Sequence, residues 1–258
     1  MPITCGAILT MPKISICIPC YEMNGMGIRY LHYLISSIIS QTYKNYEIVI
    51  TDHSANNEIE NYLRTTYTGT GIKINYIRHA YKRGNSSANT NMAIKYAVGE
   101  IIKPMFQDDM FFSNRCLDKI VHEYNNGSMW GAVGFNHISR YNEIYAGEKH
   151  KPQYPVYNEY LLEGKNTLGC PSVIYFKNDK NFFDEELIWL MDCEMFHSLN
   201  KKYSKPKIIE EHLISVRIWE SSVSTRVRND TSITVREKEY VLSKHSEYVL
   251  DPTPPVEE

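Results

Sequence analysis

The first half of the chain alternates short apolar runs with stretches in which apolar residues recur three and four positions apart. Apolar runs bounded by polar residues predict strands, whereas the wider spacing predicts helices. The predicted strands span residues 14–19, 47–51, 72–77 and 101–106, and the predicted helices begin near residues 28, 57, 86 and 115. Strands and helices that alternate in this way are typical of a parallel sheet with right-handed crossover connections.

The second half has a less regular pattern, which predicts a mixed continuation of the sheet. Strands are predicted at residues 130–135, 172–176 and 213–219, and helices at 187–199 and 235–245. Residues 139–164 are rich in Tyr, Glu, Lys and Pro, so we expect an irregular excursion that serves as a lid or an acceptor loop. The acidic, proline-rich tail at 251–258 is predicted to be disordered.

One of the predicted strands ends in two adjacent carboxylates, Asp108 and Asp109. Ligands of α/β sheets bind outside the carboxyl ends of the strands, and two acids there are costly to desolvate unless a cation meets them. A divalent cation shared with a phosphate would meet this need, whereas the alternative is an ordinary surface turn. Pro104 lies inside the same strand, where it removes a ladder donor, so we expect a bulge or an edge position there.

Other polar or aromatic side chains follow the remaining strand ends or open a helix. They are Pro19, Tyr21, Glu22, Asp52, Arg83, Asn89 and Asn91. In a doubly wound sheet these positions lie along one edge and can converge. A nucleotide diphosphate would suit such a set, with Tyr21 stacking on the base and Asp52 accepting from a base N–H or a ribose hydroxyl. Arg83 is a candidate for the diphosphate, with a surface charge as the alternative.

Composition narrows the functional classes. Of the 258 residues, 43% are hydrophobic and 22% are charged, as in globular proteins, and the net charge of -2 gives no electrostatic basis for nucleic-acid binding. The first ten residues do not resemble a signal peptide, and no apolar run approaches the roughly 18 residues of a membrane span. We therefore expect a cytoplasmic protein without a transmembrane segment, either free or peripheral to a membrane.

Six cysteines are present, and two of them, Cys17 and Cys20, form a C-x-x-C pair. The pair falls at the end of the first predicted strand, and no second pair stands at a zinc-ribbon spacing. We expect all six cysteines to be reduced, buried thiols. The chain also lacks the P-loop motif and has no G-x-G-x-x-G after the first strand, which argues against a P-loop NTPase and a dinucleotide dehydrogenase.

An ordered set of loose motifs resembles the inverting glycosyltransferases of family two, which have the GT-A fold. The motifs fall at residues 16–22, 40–43, 46–54, 91–93, 97–100 and 107–109, and more weakly at 169–172 and 189–194. The resemblance implies one GT-A domain at residues 1–228, with a nucleotide-binding half at about 13–126 and an acceptor half at about 127–228. A C-terminal helix and tail would follow at 229–258.

The resemblance also implies a role for each matching residue. Tyr21 and Glu22 match the loop that lines the nucleotide, and Asp52 matches the carboxylate that contacts the base. Asp109 matches the metal ligand, with Asp108 supporting the ribose or the metal. The implied donor is a nucleotide-diphosphate sugar, and the implied cofactor is Mn²⁺ or Mg²⁺. The partner is a glycan or another acceptor with a free hydroxyl, and the sugar and the oligomeric state stay open.

A later acid, Asp192, matches the catalytic base of the family, and Glu194 is the next candidate. The chain departs from the family pattern where Trp219 stands in place of a late His, so His212 or solvent would have to substitute. This departure keeps open a second hypothesis, a degenerate nucleotide-sugar-binding module without transferase activity. A sugar nucleotidyltransferase is a third hypothesis, although the loop after the first strand has no cation before Arg29 to hold a triphosphate.

Overall fold

A central eight-stranded sheet organises the computed structural model, which describes residues 14–139, 151–218, 227 and 231–248. The strands are β1 (Ile14–Cys20), β2 (Tyr46–Asp52), β3 (Ile74–Arg78), β4 (Ile101–Pro104), β5 (Met110–Phe111), β6 (Trp130–Ser139), β7 (Ile174–Lys177) and β8 (Lys207–Ile218). Their order across the sheet is β3-β2-β1-β4-β7-β6-β8-β5. The first four strands of this order run parallel, whereas β7 is antiparallel to both of its neighbours. The predicted α/β class, with a mostly parallel sheet and a mixed second half, is confirmed.

Six α-helices accompany the sheet in the described part of the chain. They are α1 (Gly27–Ile39), α2 (Glu58–Tyr67), α3 (Ser86–Tyr96), α4 (Cys116–Asn125), α5 (Met191–Tyr203) and α6 (Thr231–Lys244). The predicted apolar face of α1 is buried through Leu31, Leu34, Ile35 and Ile38. The core consists of such helix faces packed on the buried side chains of the strands, because each element covers the apolar surface of the other.

Pro104 occupies the last position of β4 rather than its middle. On one side, β1 pairs with β4 through Pro104, and the next N–H, that of Met105, donates to the Cys17 carbonyl at 2.9 Å. On the other side, β7 pairs only with Ile101 and Ile102. Pro104 therefore interrupts no ladder to β7, but β4 lies between β1 and β7, so the proline is accommodated by the end of a central strand rather than by the predicted bulge or edge position.

Several element boundaries differ from the prediction. The strand predicted at residues 172–176 begins as a short 3₁₀ helix, Pro171–Val173, and only then becomes β7. The two-residue β5 was not predicted, since it is too short to show a period and exists only by pairing with β8. The domain boundary at residue 228 stays a prediction, and the tail at 251–258 lies outside the described residues.

Two expectations about the whole chain can be compared with the residues described. No helix there has the length and apolar character needed to cross a membrane. The five described cysteines are free, and Cys170 is the only one of these five that is not fully buried. Cys5 lies outside the described residues.

Candidate active site

The acid pair lies between β4 and β5, at the carboxyl edge of the parallel strands. Asp109 is 3% exposed, and its Oδ1 accepts the backbone N–H of Arg217 at 2.9 Å. Its Oδ2 lies 3.7 Å from the Cys170 Sγ. Burial and the neighbouring charge of Asp108 raise the pKa of Asp109 to about 7. A carboxyl group in this environment gains free energy from any cation that binds beside it.

Arg217, near the end of β8, donates hydrogen bonds to both residues of the acid pair from the second half of the chain. Its Nε donates to the Asp108 carbonyl at 2.9 Å and its Nη1 to the Ser139 carbonyl at 3.0 Å, and the guanidinium lies 4.8 Å from the Tyr30 ring centroid. Burial lowers the pKa of Arg217. Arg217 was not among the predicted site residues. Its position within the alternating strand predicted at residues 213–219 could have indicated a cation with a function.

A second cation, Lys103, is fully buried near Asp109. Its Nζ donates to the carbonyls of Pro104, at 3.0 Å, and Ser172. Burial lowers the pKa of Lys103 to about 8, while the nearby Asp109 opposes that shift. Lys103 and Arg217 thus provide positive charge near two acids that would otherwise be desolvated together.

Gln107 links the acid pair to the loop after β1. It is 2% exposed, accepts the Tyr21 backbone N–H at 2.9 Å and donates to the Gly27 carbonyl at 2.8 Å. A side chain on Gly27 would bring its Cβ to 2.4 Å from the Tyr21 carbonyl oxygen, so the loop closes this tightly only over a glycine. Gln107 was part of the quoted motif but was not predicted as a site residue.

The predicted nucleotide loop therefore lies beside the acids. Tyr21 is 43% exposed, and burial together with the charges of Asp108 and Glu22 raises its pKa. Glu22 is half-buried, and its carbonyl accepts the N–H groups of two glycines in the tight turn that follows. Pro19 is also half-buried, near the end of β1. The structure brings these three residues and Asp108 to one place.

Asp52 is fully buried at the end of β2, and its two oxygens accept from the Ser54 N–H at 2.7 Å and the Tyr76 hydroxyl at 2.6 Å. Asn89 is also buried, where it donates to the Cys20 carbonyl at 3.1 Å and lies 3.1 Å from the Nε2 of His79. Both side chains thus hold the ends of β1, β2 and β3 together. Direct contact of either one with a ligand stays a prediction.

Asn91 and Arg83 are placed differently from each other. The Asn91 carboxamide donates to the Phe183 carbonyl and accepts the Phe183 N–H, both at 2.8 Å, so it joins α3 to the segment before α5. Arg83 is exposed, and its charge contributes to the low pKa of His53, which burial lowers to about 4. Arg83 therefore lies within electrostatic range of His53 and is accessible to solvent.

Asp192, the second residue of α5, is half-buried. Its Oδ1 accepts the Cys193 N–H at 2.7 Å, and its Oδ2 accepts from the Asn166 amide at 2.8 Å. Burial raises the pKa of Asp192 to about 6. The charges of Asp109 and Asp192 both contribute to the raised pKa of the Cys170 thiol, so the fold brings the two acids to the surroundings of one side chain.

Asn166 follows the region predicted to be irregular, residues 139–164, and was not among the predicted site residues. Its Oδ1 accepts the N–H groups of Leu168 and Gly169, both at 3.0 Å, while its amide donates to the Gly169 carbonyl at 2.9 Å as well as to Asp192. Gly169 has a φ of +112° and its Cβ position would lie 2.9 Å from the Phe135 ring, so only glycine suits this turn. Asn166 therefore orients Asp192 from a rigid turn.

The acid pair could hold a divalent cation with the help of a ligand. Within the described residues, no three His, Cys, Asp or Glu side chains are grouped to bind a metal by themselves. Asp109 nevertheless keeps acceptor capacity on Oδ2, whose contact with the Cys170 Sγ is long, and Mg²⁺ often binds one or two carboxylates and completes its shell with phosphate oxygens and water. The donor set fits a metal that is shared with a phosphate.

His212, considered as a substitute for the late histidine, lies on β8. Its ring stacks on Phe112 with the centroids 3.7 Å apart. It precedes Arg217 on β8 by five residues, which in an extended strand is about 16 Å. Trp219, the other residue considered for this place, lies outside the described residues.

Comparison with known proteins assigns this architecture. The profile of the family described as Glycosyl transferase family 2 matches residues 15–196. The chain is 25% identical over 214 residues to WfgD of Escherichia coli, named as a UDP-Glc:alpha-D-GlcNAc-diphosphoundecaprenol beta-1,3-glucosyltransferase, and the match covers 82% of this chain and 79% of WfgD.

Two solved structures share the fold at 15% identity, and the chain spans about two thirds of the length of each. TarS 1-349 of S. aureus in complex with UDP superimposes with a TM-score of 0.60 over 89% of this chain and 65% of that one. The mannosyltransferase PcManGT of Pyrobaculum calidifontis, solved with GDP-Man and Mn²⁺, superimposes with a TM-score of 0.63 over 96% of this chain and 67% of that one. The expected GT-A fold is confirmed, and the chain belongs to glycosyltransferase family 2.

Proposed function

We propose that this protein is a metal-dependent inverting glycosyltransferase that moves a sugar from a nucleotide-diphosphate donor to an acceptor hydroxyl in surface glycan synthesis. One observation carries the proposal: Asp109 and Asp192, from different halves of the chain, lie in different environments near Cys170, with the Asp109 Oδ2 3.7 Å from the Cys170 Sγ and the charge of Asp192 raising the pKa of the same thiol. Asp109 is held against Arg217, whereas Asp192 is oriented by Asn166. Acids whose surroundings differ in this way serve different roles in one reaction.

The donor side of the site is formed by the loop after β1 and by the acid pair. Tyr21 offers an exposed ring for the base, and Asp108 supports the ribose or the metal. Asp109 would hold Mn²⁺ or Mg²⁺, which when bound supplies positive charge for the leaving diphosphate. The names of WfgD and PcManGT describe UDP-glucose and GDP-mannose as donors, and this supports a nucleotide sugar here.

The remaining residues support the donor side. Glu22 and Pro19 shape the loop, Arg83 approaches the diphosphate or the base, and Asp52 contacts the base. The carboxamides of Asn89 and Asn91 complete this side, either by direct contact or by holding the strand ends and α3 in place.

Asp192 acts as the base. Its carboxylate takes the proton from the acceptor hydroxyl while the hydroxyl oxygen forms a bond to the anomeric carbon. The bond from that carbon to the phosphate oxygen breaks on the opposite face, and the nucleotide diphosphate leaves with the electron pair. The configuration is thereby inverted, and a carboxylate so positioned contributes roughly 10²–10⁴ in rate. A pKa of about 6 keeps Asp192 largely ionised at neutral pH and still basic enough to accept the proton.

A calorimetric titration and a donor screen test this function together. UDP, GDP and dTDP are titrated into the protein with and without Mn²⁺, and UDP-glucose, UDP-N-acetylglucosamine and GDP-mannose are then incubated with it to follow hydrolysis. We expect one diphosphate to bind in a Mn²⁺-dependent manner and its sugar to be released. Binding of the diphosphate without release of the sugar indicates the binding module. In a separate incubation with a nucleoside triphosphate and a sugar phosphate, release of pyrophosphate indicates the nucleotidyltransferase.

Replacement of Asn166 by Asp should move the pH dependence of turnover to higher pH. The substitution removes the amide that donates to Asp192 at 2.8 Å and adds a negative charge beside it, and both changes raise the pKa of Asp192 above about 6. Since the base must be ionised, kcat/KM falls as the pH decreases through this pKa. We expect the acid limb to shift upward by about one pH unit or more, because a hydrogen bond to a charged group contributes roughly 1.5–3 kcal/mol.

Asn158→Asp is the matched control for this experiment. Asn158 lies eight residues before Asn166 and donates to the Lys165 carbonyl at 2.9 Å rather than to Asp192. The control variant should keep the acid limb of the parent protein. An unchanged limb in Asn166→Asp, or an equal shift in both variants, would contradict the assignment of Asn166 to Asp192.

A further inference from the structure

Helix α6 supplies a carboxylate to the start of α5. Glu237 is 1% exposed, and its two oxygens accept the backbone N–H groups of Ile188, Trp189 and Leu190, each at 2.9 Å. Three consecutive amides around an ionised carboxylate form a strong, charge-assisted arrangement. Leu190 is the N-cap residue of α5 and has no polar side chain with which to cap the helix. Glu237 accepts the N–H groups of Leu190 and of the two residues before it, and so holds the turn that leads into α5 from a helix about 47 residues further along the chain.

Further contacts hold α6 against the same segment. The Tyr240 hydroxyl and the Lys244 Nζ donate to Asp184 Oδ2 at 3.0 Å and 2.7 Å, ahead of the three amides. Past them, Lys244 Nζ and the His245 Nε2 lie 2.8 Å and 3.0 Å from Glu194 Oε1. Contacts with α6 and the residue after it therefore hold the segment from residue 184 to residue 194 at both ends and in the middle. Asp192 lies within this segment.

The same segment also contacts the donor half of the molecule. Asn85 donates to the Glu185 carbonyl at 2.7 Å, and the Ser87 hydroxyl donates to the Leu187 carbonyl at 3.0 Å. A displacement of the turn before α5 would thus alter the relation of Asp192 to the donor half. Two of these contacts lie two residues from Asp192: Glu237 holds Leu190 on its N-terminal side, and Lys244 and His245 hold Glu194 on its C-terminal side.

We propose that Glu237 is a positioning residue for Asp192: it holds the turn at residues 188–190 so that the Asp192 carboxylate faces the acceptor hydroxyl. This inference rests on the proposed function, in which Asp192 is the base. Without the carboxylate, the three amides lose their partner, and the Leu190 N–H is buried away from water. The turn then rearranges to find other acceptors, and a displacement of about 1 Å at a catalytic group can cost about 10² in rate.

The test is a double-mutant cycle between Glu237→Gln and Asp192→Asn, with kcat and KM measured for the donor that the screen identifies. Glutamine keeps the length of the side chain but replaces one acceptor oxygen with a donor that faces N–H groups. We expect Glu237→Gln to lower kcat about 10- to 100-fold in the parent protein. The donor KM and the affinity for the nucleotide diphosphate should change less than about twofold, since the acid pair is untouched.

In the Asp192→Asn background, Glu237→Gln should change kcat by less than about twofold, because the group that it positions is already inactive. A purely structural role would lower kcat by the same factor in both backgrounds, and that result would overturn the inference while leaving the proposed function intact. If Asp192→Asn itself keeps the parent kcat, the assignment of the base fails, and the inference fails with it. All measurements are made well below the melting temperature of each variant.

Two further variants complete the design. Glu239→Gln is the matched control, since Glu239 is exposed on the same helix and undergoes the same change of charge; it should keep the parent kcat and KM. If Glu237→Gln fails to fold, Glu237→Asp takes its place in the cycle, because it keeps the charge and shortens the reach by one methylene. We then expect a smaller loss of kcat in the parent protein and no further loss in the Asp192→Asn variant.

Discussion

Asp109→Asn should abolish Mn²⁺-dependent binding of the nucleotide diphosphate. The substitution keeps the shape of the side chain and an oxygen to accept the Arg217 N–H, but it removes the charge that would hold the metal. We expect the affinity measured with Mn²⁺ to fall about 100-fold or more, since even residues outside the coordination shell cost about 10–100-fold when changed. Turnover should fall about 10³-fold, because the leaving diphosphate loses its electrostatic stabilisation.

The same titration without Mn²⁺ gives the internal control. Parent protein and Asp109→Asn should then bind the diphosphate equally weakly. Asp179→Asn is the control that makes the same change of charge at another place. Asp179 follows β7, whose end lies beside the start of β4 and therefore at the opposite edge of the sheet from the acid pair. This variant should bind the diphosphate as the parent does. Parent protein that binds the diphosphate with the same affinity in the presence of a chelator would rule out the metal site at Asp109.

Asp192→Asn should stop turnover and leave binding intact. The amide cannot accept the proton from the acceptor hydroxyl, so we expect kcat to fall by about 10²–10⁴ while the Mn²⁺-dependent affinity for the diphosphate changes little. Rapid-quench or steady-state assays of sugar transfer measure the first quantity, and calorimetry measures the second. This result is the reverse of that expected for Asp109→Asn, and equal kcat in Asp192→Asn and the parent would remove Asp192 as the base.

The pH profile gives an independent check of the same residue. Burial raises the pKa of Asp192 to about 6, and only the ionised form accepts a proton. At saturating Mn²⁺, whose charge keeps Asp109 ionised, the parent kcat/KM should therefore rise with pH up to about 6 and level off above it. The residual activity of Asp192→Asn should lack this acid limb, and a limb that persists unchanged would assign it to another group.

Much of the fold was accessible from the sequence because burial imposes a period on each element. The apolar run at residues 14–20 corresponds to a strand buried on both faces, and the helical spacing from residue 28 follows from the one face of α1 that meets the core. The short β5 and the 3₁₀ turn before β7 were not accessible, because they are set by pairing with distant strands rather than by local preference. Boundaries shifted by a few residues for the same reason.

The acids of the candidate site were also accessible, whereas their partners were not. Asp108 and Asp109 interrupt an apolar run, and Asp192 follows one, so their types and positions are visible in the chain. Arg217 contacts Asp109 across 108 positions through its backbone N–H, and Asn166 contacts Asp192 across 26 positions through its side chain. The sequence can mark Arg217 as a cation within an alternating strand, but it does not show which acid either residue contacts.

The sequence by itself determined the order of strands and helices and the presence of an acid pair at a strand end, because periodic burial and an interrupted apolar run are local properties. The tertiary structure alone decided that Asp109 is buried against Arg217, that Asp192 is oriented by Asn166, and that Glu237 holds the start of α5. These features depend on desolvation and on distances between remote elements. Such quantities exist only once the chain has folded.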